Sequence, residues 1–345
     1  MTTTTGMLRG LALAIGLAGI TASPAAAQGT LVMYCGVDEA WCRAMATTFE
    51  KETGVHTDMT RQSAGELYAR LRAEKENPRG DIWWGGTGDP HLQAAEEGLT
   101  EPYKSPLLPK LRDWAQRQAE RAQFRTVGLY LGALGFGYNT EELARRKLAA
   151  PACWADLVKP EFKGEVQMAD PNSSGTAWTA LATLVQLWGE EPAFAYLKKL
   201  NGNINEYTQA GAAPAMAAGK GETLVGIAFQ HDVITVAKLK LPVQVVSPCE
   251  GTGYEIGSMS LIKGARHPDE AKKFYEWALT PAAQALGAAN RSYQIQSNPE
   301  TPVPPEAPDL SRIKLIEYDF AKYGSSATRT RLLGRWTSEV KNAAN

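Results

Sequence analysis

Apolar runs and helical spacings alternate along the first third of the chain. TLVMYC (30–35) is a short apolar run of strand length. DEAWCRAMATTFEKETG (38–54) carries apolar residues at helical spacing and stops at Gly54. VHTDMTRQ (55–62) predicts a second strand. SAGELYARLRAEKENPRG (63–80) opens with Ser63 and has Glu66 three positions on, the capping-box signature of a helix start. DIWWGG (81–86) predicts a third strand. TGDPHLQAAEEGL (87–99) predicts a helix with Asp89 as N-cap and Pro90 in the first turn. Trp83 and Trp84 are neighbours on a strand and point to opposite faces, with core the default for both. Repeated strand–helix units build a parallel sheet flanked by helices, an α/β fold. Ligands on such sheets lie at the carboxyl ends of the strands, which selects the loops CGVDEA, RQSAGE and GGTGDP.

The pattern changes in the middle. RTVGLYLGALGFGYN (125–139) is long, apolar and glycine-rich, and is read as a pair of extended segments crossing between two domains. Strand, loop and helix then recur in EVQMADPNSSGTAWTALATLVQLWG (165–189). A further loop and helix follow at 201–222, and TLVGIAFQHD (223–232) is read as a strand whose end carries His231 and Asp232. Residues 240–262 read as a return through the hinge, HPDEAKKFYEWALTPAAQALG (267–287) as one amphipathic helix, and 298–308 as a proline-rich connector before a helical tail. The expected division is 28–128 plus 255–300 for one lobe and 129–254 plus 301–345 for the other. Two such lobes with strand ends facing across a cleft make a hinged clamp for a small molecule.

Composition narrows the function. The 345 residues carry a formal net charge of −1, so no basic field for nucleic acid exists and anion preference must be local. Arg9 is the only charged side chain before Asp38, and an apolar run (10–20) too short to span a bilayer leads to SPAAAQ. Ala25 and Ala27 are placed for cleavage before Gln28, so 1–27 reads as a secretory signal peptide. No cysteine follows that site to take a lipid anchor, and no later stretch is long and apolar enough for a transmembrane helix. The mature protein is expected to be exported and soluble. Of the four cysteines, Cys35 and Cys42 would close a short local loop and Cys153 and Cys249 a long one. The alternative is free or metal-binding thiols, for which no CxxC spacing speaks.

Three groups of residues carry candidate chemistry. DPNSSGTAW (170–178) lies between a strand and a helix, and Ser173, Ser174 and Thr176 with Gly175 could cradle an anion at the helix N-terminus. It lacks the GK[ST] of a P-loop, and an ordinary capped helix start is the plain alternative. Ser63 and the pair Thr87-Gly88 sit at similar strand–helix junctions and are equally compatible with caps or turns. His231, Asp232 and Glu255 offer the paired donors and acceptors that sugar hydroxyls need. They are also compatible with a hydrogen-bonded strand end, a metal site, or a hydrolase using His231, although no GxSxG is present.

These residues resemble the periplasmic solute-binding proteins of the ferric-binding type, with the type II fold, which feed ABC importers. The resemblance covers nearly all of the mature chain. That family places an anion on a serine-glycine loop matching Ser174-Gly175, and binds iron through adjacent tyrosines after a run such as AALINNYY. Here the matching run is LVGIAFQHD, so His231-Asp232 stands where the phenolates would be and the resemblance does not imply iron. GTGDPHLQAAEEGL, DPNSSGTAW, HD and PCEGTGYEIGSMS look closest to the hexose-phosphate-binding branch. By that resemblance Ser63, Thr87, Ser174 and Thr176, with Gly88, Ser173 and Gly175 in the same loops, would hold the phosphate end or the neighbouring sugar atoms. That hold would use hydroxyls and helix N-termini without a full cationic partner. His231, Asp232 and Glu255 would bind sugar hydroxyls. The implied protein is a monomeric binding protein without cofactor or metal, not an enzyme. It would deliver a hexose 6-phosphate such as glucose 6-phosphate to a membrane permease. Another organophosphate or phosphonate, or ferric iron, is the alternative cargo.

Overall fold

The computed structural model describes residues 1–4 and 29–342. The signal peptide read at 1–27 rests on residues that lie almost wholly outside the described ones. Ten strands make one continuous sheet: β1 Thr30–Cys35, β2 His56–Arg61, β3 Ile82–Trp84, β4 Val127–Asn139, β5 Val166–Ala169, β6 Ile204–Thr208, β7 Val225–Phe229, β8 Val243–Val246, β9 Tyr254–Leu261 and β10 Ile295–Gln296. The order is β2-β1-β3-β9-β4-β7-β5-β6, with β8 and β10 also pairing β4. The helices are α1 Glu39–Thr53, α2 Ala64–Ala73, α3 Gly88–Glu96, α4 Asp113–Arg121, α5 Thr140–Arg146, α6 Gly175–Trp188, α7 Glu190–Asn201, α8 Ala213–Lys220, α9 Gln230–Lys238, α10 Pro268–Ala278, α11 Pro281–Ala289, α12 Phe320–Tyr323 and α13 Ser326–Arg335. β1 pairs in parallel with β2 and β3, and β5 in parallel with β6 and β7, as the two strand–helix series require.

The two series are joined through β4. Its first part pairs antiparallel with β9 and β10, and its second part, from Leu134 onward, with β7 and β8. The expected pair of crossing segments at 125–139 is therefore one uninterrupted strand. Its glycines suggested breaks but serve close packing. A Cβ on Gly132 would lie 2.7 Å from His231 Nδ1, one on Gly135 2.4 Å from the Val246 carbonyl oxygen, and one on Gly137 2.6 Å from Val233 Cγ1.

One apolar core gathers β1, β3, α1 and α10 around Leu31, Trp41, Phe49 and Phe274, and a second gathers β5, α6, α7 and the tail around Trp154, Trp178, Phe194 and Trp336. Trp83 and Trp84 are both core, 0% and 2% exposed. Four local expectations are corrected. The N-cap of α3 is Thr87, and Asp89 sits inside the first turn. β7 ends at Phe229, so His231 and Asp232 belong to the first turn of α9 rather than to a strand end. The β-branched Val233, Ile234 and Thr235 disguised that helix, whereas Asp232 in its first turn suits the positive end of the dipole. Residues 267–287 make two helices, because the Thr280 hydroxyl accepts from Ala283 N and Pro281 opens α11. The fourth correction concerns β4, above. Cys35 is bonded to Cys42 and Cys153 to Cys249, leaving no free cysteine among the described residues.

Candidate functional site

Six helices aim their N-terminal ends at one cavity. The N-cap residues Asp38 of α1, Ser63 of α2, Thr87 of α3, Ser174 of α6, Ala212 of α8 and Phe229 of α9 all line it. Each helix start leaves backbone N–H groups without intrahelical partners and carries a partial positive charge, so the convergence favours an anion. The cause lies in the topology: α1, α2, α3, α6 and α9 each follow the carboxyl end of a strand of one sheet.

One end of the cavity is built of hydroxyls. Thr87 Oγ1 is buried and has no hydrogen-bond partner. It abuts α6 so closely that a Cβ on Gly175 would fall 1.8 Å from it. Thr176 and Ser174 lie against Gly211, whose Cβ would meet Thr176 Oγ1 at 2.0 Å and Ser174 Oγ at 3.0 Å. Ser63 Oγ donates to the Gln209 carbonyl at 3.1 Å, from the first strand–helix series to the second. A Cβ on Gly65 would lie 2.6 Å from the Ser173 carbonyl oxygen. The cleft is shut.

The other end is acidic. Asp38, Asp232 and Glu255 line it with His231, Gln294, Tyr130 and Arg61. His231 Nε2 lies 3.5 Å from Asp232 Oδ1 and 3.9 Å from Glu255 Oε1. Gln294 Nε2 lies 3.0 Å from the same ring nitrogen; as its donor, it makes that nitrogen an acceptor and leaves the proton on Nδ1. Burial pushes the His231 pKa down to about 3, so the ring is neutral. Burial pushes the Asp232 carboxyl well above the usual carboxylate range, with the Asp38 charge adding and Arg61 opposing. Glu255 is raised in the same way, by burial first and by Asp232, Asp89 and Asp38 after it. Protonated or shared-proton carboxyls both donate and accept, as polyol recognition needs.

Of the residues singled out in the sequence, Ser63, Thr87, Ser174, Gly175, Thr176, His231, Asp232 and Glu255 line this cavity together. Gly88 and Ser173 do not. Gly88 faces β9, where a Cβ would lie 2.3 Å from the Ile256 carbonyl oxygen. The Ser173 hydroxyl donates to the Asp170 and Gln209 carbonyls at 3.3 Å each. Sequence reasoning missed Asp38, Arg61 and Gln294. Arg61 closes β2 and its Nε donates to the Val37 carbonyl at 3.0 Å. It is the one Arg or Lys among the lining residues, so the cleft does hold a full cation. Asp38 stood in one selected loop, CGVDEA, and Arg61 opened another, RQSAGE, but neither was singled out as a ligand; Gln294 carried no signal. The pair of tyrosines that iron would take is absent from the lining, where Tyr130 stands alone and its hydroxyl accepts from Gly86 N at 2.8 Å. The His231 ring meets Gln294, and the Thr235 hydroxyl donates to the His231 backbone carbonyl at 2.9 Å rather than to the ring.

The comparisons agree with this geometry. Residues 87–323 match the model of the family described as bacterial extracellular solute-binding protein. The periplasmic binding protein AfuA from Actinobacillus pleuropneumoniae, solved with exogenous fructose-6-phosphate bound, is 45% identical. The match covers 92% of this chain and all (100%) of that one, with a TM-score of 0.89. The periplasmic binding protein P5PA is 38% identical over 91% of this chain and 100% of its own, with a TM-score of 0.88. Iron-bound HitA from Pseudomonas aeruginosa is 19% identical over 88% of this chain and 98% of its own, with a TM-score of 0.74, and shares the fold. The fold is thus the type II periplasmic binding fold, and members of this family bind solutes for import rather than transform them. The chain belongs to the bacterial extracellular solute-binding protein family.

Proposed function

We propose that the protein captures a sugar phosphate, a hexose 6-phosphate such as glucose 6-phosphate or fructose 6-phosphate, for an ABC importer. The observation that carries this reading is the two-ended cavity: converging helix N-termini with Ser63, Thr87, Ser174 and Thr176 at one end, and His231, Asp232 and Glu255 at the other. The phosphate sits at the hydroxyl end, where N–H and O–H donors of the converging helix starts meet it. The sugar hydroxyls pair with the acidic end. A ligand lacking either end leaves buried groups unpaired, at a cost of about 1–3 kcal/mol each. AfuA, solved with fructose-6-phosphate, supports the reading through its similarity to this chain.

The lobes in this proposal are 28–128 plus 255–300 and 129–254 plus 301–345, hinged where β4 and β9 pass between the two cores. The protein works as a monomer in the periplasm and hands its cargo to a membrane permease; two disulfides suit that compartment, and no helix among the described residues is long and apolar enough to cross a membrane. Titration of Asp232→Ala and Glu255→Ala with fructose 6-phosphate tests the division of labour. Each should weaken binding about tenfold or more while inorganic phosphate binding stays as in the parent protein. Indifference of both variants would overturn the sugar reading.

A further inference from the structure

α3 is buried from Gly88 to Ala95, with only Glu96 exposed. Leu92 and Ala95 pack into the second core with Phe320 and Tyr323, while Ala94 packs with Trp83 and Leu99. Its polar residues reach across the same seam. The Tyr318 hydroxyl donates to Asp89 Oδ2 at 2.8 Å, and Gln93 Nε2 to the Tyr323 carbonyl at 3.3 Å. The Ser326 N–H donates to Glu96 at 2.6 Å. The tail that meets α3 is fixed to the second series: Asp319 N donates to Gln186 of α6 at 2.8 Å, and Arg331 and Arg335 pair with Glu190 of α7.

Arg329 adds a second bridge. It is 4% exposed, although a guanidinium is costly to bury. Its Nη2 donates to the Pro171 and Asn172 carbonyls, at 3.4 Å and 3.3 Å, directly before the Ser173-Ser174 turn. Its charged carbon lies 5.2 Å from the Trp178 ring centroid and 5.9 Å from that of Tyr68 on α2. Asp89 Oδ1 and Arg329 Nη1 are buried without direct partners, so this charged seam is not arranged for stability alone.

We propose that Asp89, Tyr318 and Arg329 form a clasp behind the cleft that holds the two lobes shut and thereby sets ligand affinity. These are positioning residues: Asp89 stands two residues after the cleft-lining Thr87, and Arg329 supports the carbonyls before the cleft-lining Ser174. Ligand seating and clasp formation thus occur on the same turns of α3 and of the loop before α6. The clasp biases the closed state before ligand arrives, and slows ligand escape after. This inference rests on the proposed lobe division, and on the sugar-phosphate reading for its choice of probe.

The test compares Tyr318→Phe and Arg329→Lys with the parent protein. Thermal unfolding of the ligand-free forms controls for folding. Stopped-flow and calorimetric titration with fructose 6-phosphate read affinity and dissociation, and small-angle scattering of the ligand-free forms reads closure. Tyr318→Phe should unfold at a temperature near the parent's, dissociate about tenfold faster, and show a larger radius of gyration. Affinity within twofold of the parent's together with an unchanged radius would overturn the clasp. If the parent ignores fructose 6-phosphate, the functional reading fails, and scattering decides the clasp: a larger radius in the variant upholds it, an equal one defeats it.

Discussion

Gly175 and Thr87 touch where the two series meet, and this contact makes the smallest test of the closed cleft. An added methyl at Gly175 would fall 1.8 Å from Thr87 Oγ1. Gly175→Ala sits at the first position of α6, where alanine suits a helix at least as well as glycine. The variant should keep or slightly raise its unfolding temperature and lose at least about tenfold in affinity for the bound ester, because the lobes cannot close fully. Equal affinity in calorimetry would mean that closure does not bring these residues together. The histidines provide a second test. Burial pushes His91 and His231 each down to about 3. Exposed His56, beside Glu50, is raised above its ordinary value. In an NMR titration from pH 8 to 5, His91 and His231 should hold their neutral shifts. His56 should titrate, its protonated form favoured as the pH falls through a value above 6.5. A His231 ring that protonates in this window would remove the acceptor assigned to it.

At the scale of elements, the two disulfides close loops of very different length, with sequence separations of 7 and 96. On loop-closure entropy the long one contributes about 4–5 kcal/mol and the short one about 2–3 kcal/mol. Cys153→Ser with Cys249→Ser should therefore lower the denaturation midpoint more than Cys35→Ser with Cys42→Ser; the reverse order would place the strain-free constraint at Cys35–Cys42. Most elements were legible because the short apolar run of β1 and the helical spacing and caps of α1 and α2 stand apart from the turn residues between them. The failures have physical reasons. At 226–235 the sequence runs GIAFQHDVIT, and β-branched residues after Asp232 look like more strand. The turn into α9 is set by tertiary packing against β4 and β8, which no local pattern records. In β4 the glycines are spaced by what presses on them, His231, the Val246 carbonyl and Val233, and such contacts are long-range. The site was legible where helix starts carry hydroxyls, as at Ser63, Thr87 and Ser174. Arg61 and Gln294 were not, since an arginine at a strand end and a glutamine in a loop have many surface uses.

At the scale of the molecule, one long strand, β4, ties both cores together, and β9 runs beside it from Tyr254 to Leu261. In the proposed hinge these two connected strands would bend more readily than the packed cores deform. The cleft that results carries opposed chemistry at its ends while the whole chain stays near neutral. The most direct measurement is calorimetric titration of the mature protein, unfolded and refolded to strip carried-over ligand, with fructose 6-phosphate and glucose 6-phosphate. Fructose, glucose and inorganic phosphate serve as separate controls. Tight one-to-one binding of an ester, with its sugar and its phosphate each binding at least about a hundredfold more weakly, is the expected result. No heat with either ester, or phosphate alone binding as tightly as the ester, would contradict a two-ended sugar-phosphate site.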